Sequence, residues 1–137
     1  MKPENHRLVA SILASLVVLD VVLAVWGFAF PELWFSVFHG AAYVDPQGYL
    51  PRAAGNWTAF AILQALAFLR WEKAPHWLAV VAGVRLSDVF TDLSCMIFCE
   101  NLSGAGLVLL SAAGLGNVFF GLYFLYIHRR VASPPLL

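Results

Sequence analysis

The sequence predicts an all-α integral membrane protein folded as an antiparallel four-helix bundle. Hydrophobic residues make up 61% of its 137 residues and charged residues only 12%, whereas soluble domains carry about 25% charged residues. Four apolar stretches are each long enough to cross about 30 Å of hydrocarbon at about 1.5 Å per helical residue. They span residues 8–30, 53–71, 76–98 and 102–127. Because these spans occupy most of residues 1–137, we expect a single bundle and no second domain.

The first span, residues 8–30, is longer than the apolar core of a signal peptide. No small-x-small cleavage motif follows it, so we expect it to remain as a transmembrane helix. Asp20 is the charged residue within it. Pro31 ends the helix, because a proline lacks the N–H that would continue the backbone hydrogen bonding.

The loop between the first and second spans, residues 32–51, is rich in aromatic side chains. We expect it to lie on the outer membrane surface, with a short half-helix before Gly40, because aromatic rings favour the membrane–water interface. A lid over the mouth of a cavity is the alternative interpretation. The aromatic residues concerned are Trp34, Phe35, Phe38, Tyr43 and Tyr49.

The remaining connections are short, so the second, third and fourth spans are predicted to be antiparallel neighbours. They are RWEKAPHW between the second and third spans and CENLSGAG between the third and fourth. The second span contributes Gln64 as an additional polar candidate. The fourth contributes Asn117, flanked at turn spacing by Gly114 and Gly121, and such small residues let helices approach closely.

Basic residues in the flanks predict the orientation in the membrane. If four spans alternate, one side carries Lys2, Arg7, Arg70, Lys73, Arg129 and Arg130, and the other carries Arg52. Because basic flanks stay on the cytoplasmic side, both termini are predicted to be cytoplasmic. The formal net charge is zero, so the sequence offers no basic surface for a nucleic acid.

The third span carries a narrow polar stripe. At about 100° per residue, Arg85, Asp88, Asp92, Cys95 and Cys99 fall within about 80° of one another on a helical wheel. Three charges at the centre of a span cost about 7–10 kcal/mol, more than the apolar residues of the span return at about 3–6 kcal/mol. We therefore expect the stripe to face protein or water, with the other three spans around it.

The charged residues of the stripe need partners in the bundle. Arg85 and Asp88 are close enough in sequence to pair within the helix, and Asp20 and Asp88 lie at one depth, about 18 Å from the cytoplasmic side. The predicted internal network, which is also the predicted ligand-binding set, consists of Asp20, Arg52, Asn56, Arg85, Asp88, Asp92 and Asn117. An ion-pair network that only fixes the register of the helices is the structural alternative.

Cysteines and histidines add further candidates. Cys95 and Cys99 have a C-x3-C spacing, which is neither the redox C-x-x-C motif nor a metal-ligand set. We expect buried packing residues, with a redox pair near the outer face as the alternative. No metal site is predicted. His39, His76 and His128 fall at the edges of spans, where any of them could ligate a haem or a chlorophyll.

Two stretches, LPRAAGNWTAFAILQALAFLR and VAGVRLSDVFTDL, resemble a pattern of small four-span bacterial membrane proteins of the DoxX-like group. There an Arg-x-x-Gly opens the second span, matched by Arg52 and Gly55, and an Arg-Leu with a nearby Asp marks the third, matched by Arg85, Leu86 and Asp88. The resemblance implies a four-helix bundle in the bacterial inner membrane with a polar pocket between its helices. It also implies a group that includes subunits of membrane oxidoreductases.

The predicted function is that of a small polytopic membrane protein, rather than an enzyme, whose polar interior binds a small amphiphile. The same interior could instead dock the chain as an accessory subunit among partner membrane subunits. One alternative is a membrane enzyme or redox subunit acting on a lipid or quinone. In it Asp88 and Asp92 are the catalytic proton donors or acceptors, and Arg85 and Arg52 fix an anionic or carbonyl group.

Another alternative is a haem- or chlorophyll-associated subunit of an energy-converting complex. No cofactor is predicted, although a quinone, a haem or a chlorophyll is compatible with the sequence. The chain contains no P-loop, Gly-rich dinucleotide turn, HExxH motif or nucleophile elbow. Nucleotide and hydrolytic chemistry therefore have no sequence motif to support them.

Overall fold

The structure, a computed structural model, describes residues 3–132, so Lys2 of the predicted basic flank lies outside the described residues. Within this range the chain forms five α-helices and no β-strand, which confirms the all-α prediction. They are α1 (Pro3–Ala29), α2 (Pro31–Phe38), α3 (Tyr49–Arg70), α4 (His76–Phe98) and α5 (Gly104–Ala132). The four long helices coincide with the four predicted spans, and α2 is the half-helix expected before Gly40.

A single residue, Phe30, separates α1 from α2. Its backbone has φ −134° and ψ 53°, outside the helical region, so the chain bends there. Pro31 follows as the first residue of α2. Proline suits this position because its φ is already helical and its missing N–H would have had no partner in the first turn.

Asp45 caps the start of α3. Its Oδ1 accepts the backbone N–H of Tyr49 at 2.9 Å, and its Oδ2 accepts that of Leu50 at 2.8 Å. The carboxylate satisfies two N–H groups that have no partner within the helix, and it faces the positive end of the helix dipole. Gly48 adopts φ 68°, a conformation that side chains disfavour, so glycine lets the chain turn back into the bundle.

The four long helices form two closely packed pairs. α1 packs along α3 and α4 packs along α5, whereas α3 and α4 contact each other much less extensively. Glycines allow the close approach: a Cβ at Gly27 would lie 3.0 Å from Ala54 Cβ, and a Cβ at Gly121 would lie 2.6 Å from Leu86 Cγ. Gly114 and Gly121 are both buried, as predicted for the small-residue face of the fourth span.

Ser103 fixes α2 to the start of α5. Its hydroxyl donates to the carbonyl of Val37 at 2.5 Å, and its backbone N–H donates to the carbonyl of Phe38 at 2.8 Å. The same hydroxyl oxygen accepts the N–H of Gly106 at 2.9 Å, as an N-cap residue does. No side chain fits at Gly106, because a Cβ there would collide with the backbone carbonyl oxygen of Phe38.

Two apolar clusters occupy opposite ends of the bundle. The larger cluster lies at the end where α1 begins and α5 ends, and it is built from Val9, Leu13, Leu16, Ala67, Trp71, Leu78, Val81, Ala82, Phe124 and Ile127. The smaller cluster, at the end that carries α2, has Trp34, Phe38 and Leu50 at its centre. The buried polar residues lie between these two clusters along α1, α3, α4 and α5.

Among the described residues, two helices are long and apolar enough to cross a membrane: α1, counted from His6, and α5. By length and composition the structure thus supports two spans rather than the predicted four. α4 falls short because it places Arg85, Asp88 and Asp92 in its middle. α3 falls short because polar residues interrupt its apolar run.

Candidate functional site

A layer of buried polar side chains crosses the bundle between the two apolar clusters. Its members are Asp20 from α1, Gln64 from α3, Arg85, Asp88 and Asp92 from α4, and Asn117 from α5. We call this set the polar layer. Buried polar groups destabilise a fold unless they are hydrogen-bonded, so the partners of these side chains determine what the layer can do.

Arg85 and Asp20 form the ion pair at the centre of the polar layer. Arg85 Nη2 donates to Asp20 Oδ2 at 2.5 Å, and the two side chains are 1% and 0% exposed. The Gln64 amide donates to the same Asp20 oxygen, and the guanidinium of Arg85 lies 5.7 Å from the ring centroid of Phe60. Arg85 is therefore held by α1 and α3.

The predicted pair between Arg85 and Asp88 is absent among the ion pairs of the described residues. Side chains on a helix point back toward its N-terminus. Arg85 consequently extends away from Asp88, which lies one turn closer to the C-terminus, and toward Asp20 on α1. The spacing of Arg85 and Asp88 is compatible with a pair within α4, but the direction of the Arg85 side chain brings it to Asp20.

Asn117 joins the ion pair to the two remaining acids. Its Oδ1 accepts from Arg85 Nη1 at 3.4 Å, and its Nδ2 donates to Asp88 Oδ2 at 3.1 Å and to Asp92 Oδ2 at 3.2 Å. Asp88 and Asp92 thus share one neutral amide group. Their other carboxylate oxygens have no hydrogen-bond partner in the part of the chain that the structure describes.

Asp88 and Asp92 line a cavity of about 310 Å³ at the end of the bundle that carries α2. On the α4 side the cavity is bounded by these two acids and Thr91, and on the other sides by Trp34 of α2 and Trp57 of α3. The two indole rings lie 5.0 Å apart between centroids. A volume near 300 Å³ is at the lower end of the range for small-molecule pockets.

The segment between α1 and α3 forms one wall of this cavity. Trp34, Phe35 and His39 of this segment line the cavity, as do Val44 and Asp45. This arrangement corresponds to the lid interpretation of residues 32–51. Because Ser103 fixes the end of α2 to α5 and Asp45 caps α3, the lid is attached at both of its ends.

Five of the seven predicted site residues come together in the polar layer, and Arg52 and Asn56 do not. Both are exposed on the surface of α3. The buried face of α3 includes Leu50 and Ala54, and a residue two positions away points about 200° around the helix. Arg52 and Asn56 therefore face away from the network, which corrects their expected place in it.

The sequence analysis underestimated Gln64 and the aromatic wall. Gln64 was only an additional polar candidate, yet its helical phase matches the buried Ala61 and Ala67 of α3, and this phase identifies its inward direction. Trp57 gave no signal of its own. Trp34 was assigned to the membrane interface, because composition alone does not distinguish a belt from a cavity wall.

The two cysteines contact each other, and two of the histidines bond to backbone carbonyls of distant segments. Cys95 and Cys99 are free, half-buried thiols whose Sγ atoms lie 3.2 Å apart beside the cavity. His39 and His128 bond through Nδ1 to the carbonyls of Asn101 and Pro75 at 2.9 and 3.0 Å. Within the described residues, no group of three or more His, Cys, Asp or Glu side chains is arranged to hold a metal ion.

Comparison of the chain with family models, with curated proteins and with solved structures finds no match.

Proposed function

We propose that this chain is an integral membrane protein that crosses the bilayer four times. Support comes from how little of the long apolar helices is buried: in their most apolar stretches, 28% of α1 and 17% of α5. The core helix of a water-soluble protein would be mostly covered. Large apolar side chains instead cover the outside, including Leu115 at 73% exposure, and apolar patches of this extent indicate contact with lipid or protein.

α3 and α4 fit the same proposal. With 22 and 23 residues, they reach about 33–35 Å, enough to cross the hydrocarbon core. α4 buries its three charges while Phe90 and Phe98 are 72% and 78% exposed. A water-soluble bundle has the opposite arrangement, with charged residues outside, whereas intramembrane charges face the interior of a bundle.

We further propose that the cavity binds a small amphiphile. The observation that carries this proposal is that one cavity joins two buried carboxyl groups to a wall of tryptophan rings. Ligand sites in proteins combine a mostly apolar surface with a few polar groups that orient the ligand. An amphiphile would direct its polar head toward Asp88 and Asp92 and its apolar body toward Trp34 and Leu110.

Blocking the cavity tests this proposal. Thr91 and Ser94 are both exposed and lie three positions apart on α4, but only Thr91 belongs to the cavity lining. The purified protein is titrated with dodecylamine, dodecanol and dodecanoate, and binding is measured as the rise in thermal unfolding temperature.

At least one probe should stabilise the native chain saturably. T91W should weaken that binding about tenfold or more, and S94W should leave it unchanged. Equal binding by both variants, or no saturable binding to the native chain, refutes the proposal.

A second candidate function is that of a membrane enzyme acting on a lipid or quinone. It is favoured by the acid pair, because two carboxyl groups beside one cavity can give and take a proton. Arg85 is already bonded to Asp20, and Arg52 is exposed. Neither lines the cavity, so in this candidate we assign contact with the substrate to Asp88 and Asp92. Mass spectrometry of lipids and quinones incubated with the native chain distinguishes conversion from binding alone.

A further inference from the structure

We infer that the cavity selects amphiphiles whose head group is a cationic amine. This inference rests on the proposed function, since it names the class of ligand for the same cavity. It starts from the balance of charge inside the bundle. The polar layer holds three carboxyl groups, Asp20, Asp88 and Asp92, and one guanidinium, Arg85.

Arg85 supplies only part of the counter-charge that Asp88 and Asp92 need. Its short ion pair is with Asp20, on the side of α1, and Arg85 is not part of the cavity lining. Asp88 and Asp92 receive only the neutral amide of Asn117. They are 7% and 8% exposed, so water screens them poorly, and a neighbouring cation would be held strongly.

The rest of the lining favours a cation as well. Asp45 is a further carboxyl group in the lining, with both oxygens bonded to the start of α3, and no lysine or arginine of the described chain lines the cavity. Trp34 and Trp57 supply indole rings, whose faces attract ammonium groups. His39 is the one basic side chain in the lining, and its Nδ1 is bonded to the carbonyl of Asn101.

The free oxygens of Asp88 and Asp92 define what the head group must offer. Each carboxylate uses Oδ2 for Asn117 and leaves Oδ1 without a hydrogen bond among the described residues. A primary ammonium group has three N–H donors and one positive charge, so it can serve both oxygens at once. A carboxylate head would be repelled, and a hydroxyl head supplies one donor and no charge.

The head-group series tests this selection, because its three members share one alkyl chain. Dodecylamine should bind about tenfold or more tightly than dodecanol and dodecanoate. In D92N this preference should fall about fivefold or more, whereas E32Q, which removes an exposed carboxylate outside the cavity, should keep it. D92E retains the charge and should also keep the preference, which separates loss of charge from a failure to fold.

The possible results separate the inference from the proposed function. If all three probes bind equally and T91W blocks them, the cavity binds amphiphiles but does not select amines, and the inference is overturned. If dodecylamine binds equally well to the native chain and to T91W, it binds to the micelle or to the outer surface. Both the inference and the proposed function then fail. An unchanged amine preference in a folded D92N variant and in D88N also overturns the inference.

Discussion

Asp20 is the one acidic or basic residue in the apolar stretch of α1 from Leu8 to Ala29, and its Oδ2 accepts from both Arg85 and Gln64. The three side chains come from α1, α4 and α3, so one carboxylate oxygen joins three helices. Removing one partner of a buried ion pair leaves the other charge unpaired in a medium that cannot solvate it. The Asp20 carboxylate therefore bonds α3 and α4 to α1 in the polar layer.

We expect D20N to lower the free energy of unfolding by about 3–5 kcal/mol, because Arg85 then stays buried without its counter-charge. Chemical unfolding of the purified protein measures this change. The matched control is E72Q, which removes an exposed pair with His6, whose side chains are 41% and 65% exposed. That change should cost less than about 1 kcal/mol.

The double variant D20N/R85Q completes this test. It removes both charges, so its cost should be smaller than the sum of the two single costs. Additive costs, or a D20N variant as stable as E72Q, would mean that Asp20 and Arg85 do not interact in the folded protein.

For individual residues, the sequence predicts which face of a helix points inward better than it predicts which side chains bond to each other. The helical wheel of the third span indicated one polar face, and the structure buries Arg85, Asp88 and Asp92 on it. The partner of Arg85 depends on which helix lies opposite and on the tilt of the side chain, and neither follows from spacing within one helix. Arg52 and Asn56 do not reach the polar layer because they lie on the opposite side of α3 from its buried residues, which include Ala54 and Ala61.

Among the elements, α2 has the fewest contacts of its own and depends on α1 and α5 for its position. Trp34 stacks on Phe38 with centroids 4.2 Å apart, and it meets Trp26 of α1 edge-on at 5.2 Å. The helix is held at its C-terminal end by Ser103 and by the close approach of Gly106. The shape of the cavity therefore depends on a junction that lies outside the cavity.

We expect G106A to destabilise the protein by about 1–3 kcal/mol, because the new methyl group collides with the backbone of Phe38. Thermal unfolding measures the loss, and weaker binding of the alkyl probes should accompany it because the lid is displaced. G116A in the same helix meets no atom within 4 Å, so it should be neutral or slightly stabilising. Equal behaviour of the two variants would contradict the α2–α5 junction described above.

The sequence predicted the four long helices because their apolar runs are long and uninterrupted by proline. Their ends were less certain: α3 begins at Tyr49, before the predicted residue 53, because Asp45 caps it through contacts that composition does not reveal. The sequence also did not predict that α2 forms a wall of the cavity. Aromatic residues suit an interface belt and a pocket equally well, and only the fold determines which one they form.

At the scale of the whole molecule, charge is distributed unequally between the two ends. Contacts of His6 with Glu72 and of His128 with Pro75 bring the start of α1, the α3–α4 turn and the end of α5 together. This end carries Arg7, Arg70, Lys73, Arg129 and Arg130 against Glu72. The opposite end carries Glu32, Asp45 and Glu100 against Arg52.

We expect reporter proteins fused to either terminus to be active only as cytoplasmic reporters, because basic flanks stay on that side. A reporter inserted in the lid at residues 40–42 should be active only outside. Alkaline carbonate should leave the chain in the membrane fraction. Termini on opposite sides, or release by carbonate, would contradict four spans.

The unequal packing of the helices bears on the route by which a ligand reaches the cavity. α1 with α3 and α4 with α5 are tightly joined, but α3 and α4 touch sparingly, and Ala53, Trp57 and Thr91 border the cavity along that loose seam. In the four-span arrangement proposed above, a lipid-soluble ligand would reach the cavity laterally from the acyl chains without passing through bulk water. Its supply at the seam is then governed by its partition coefficient rather than by its aqueous solubility.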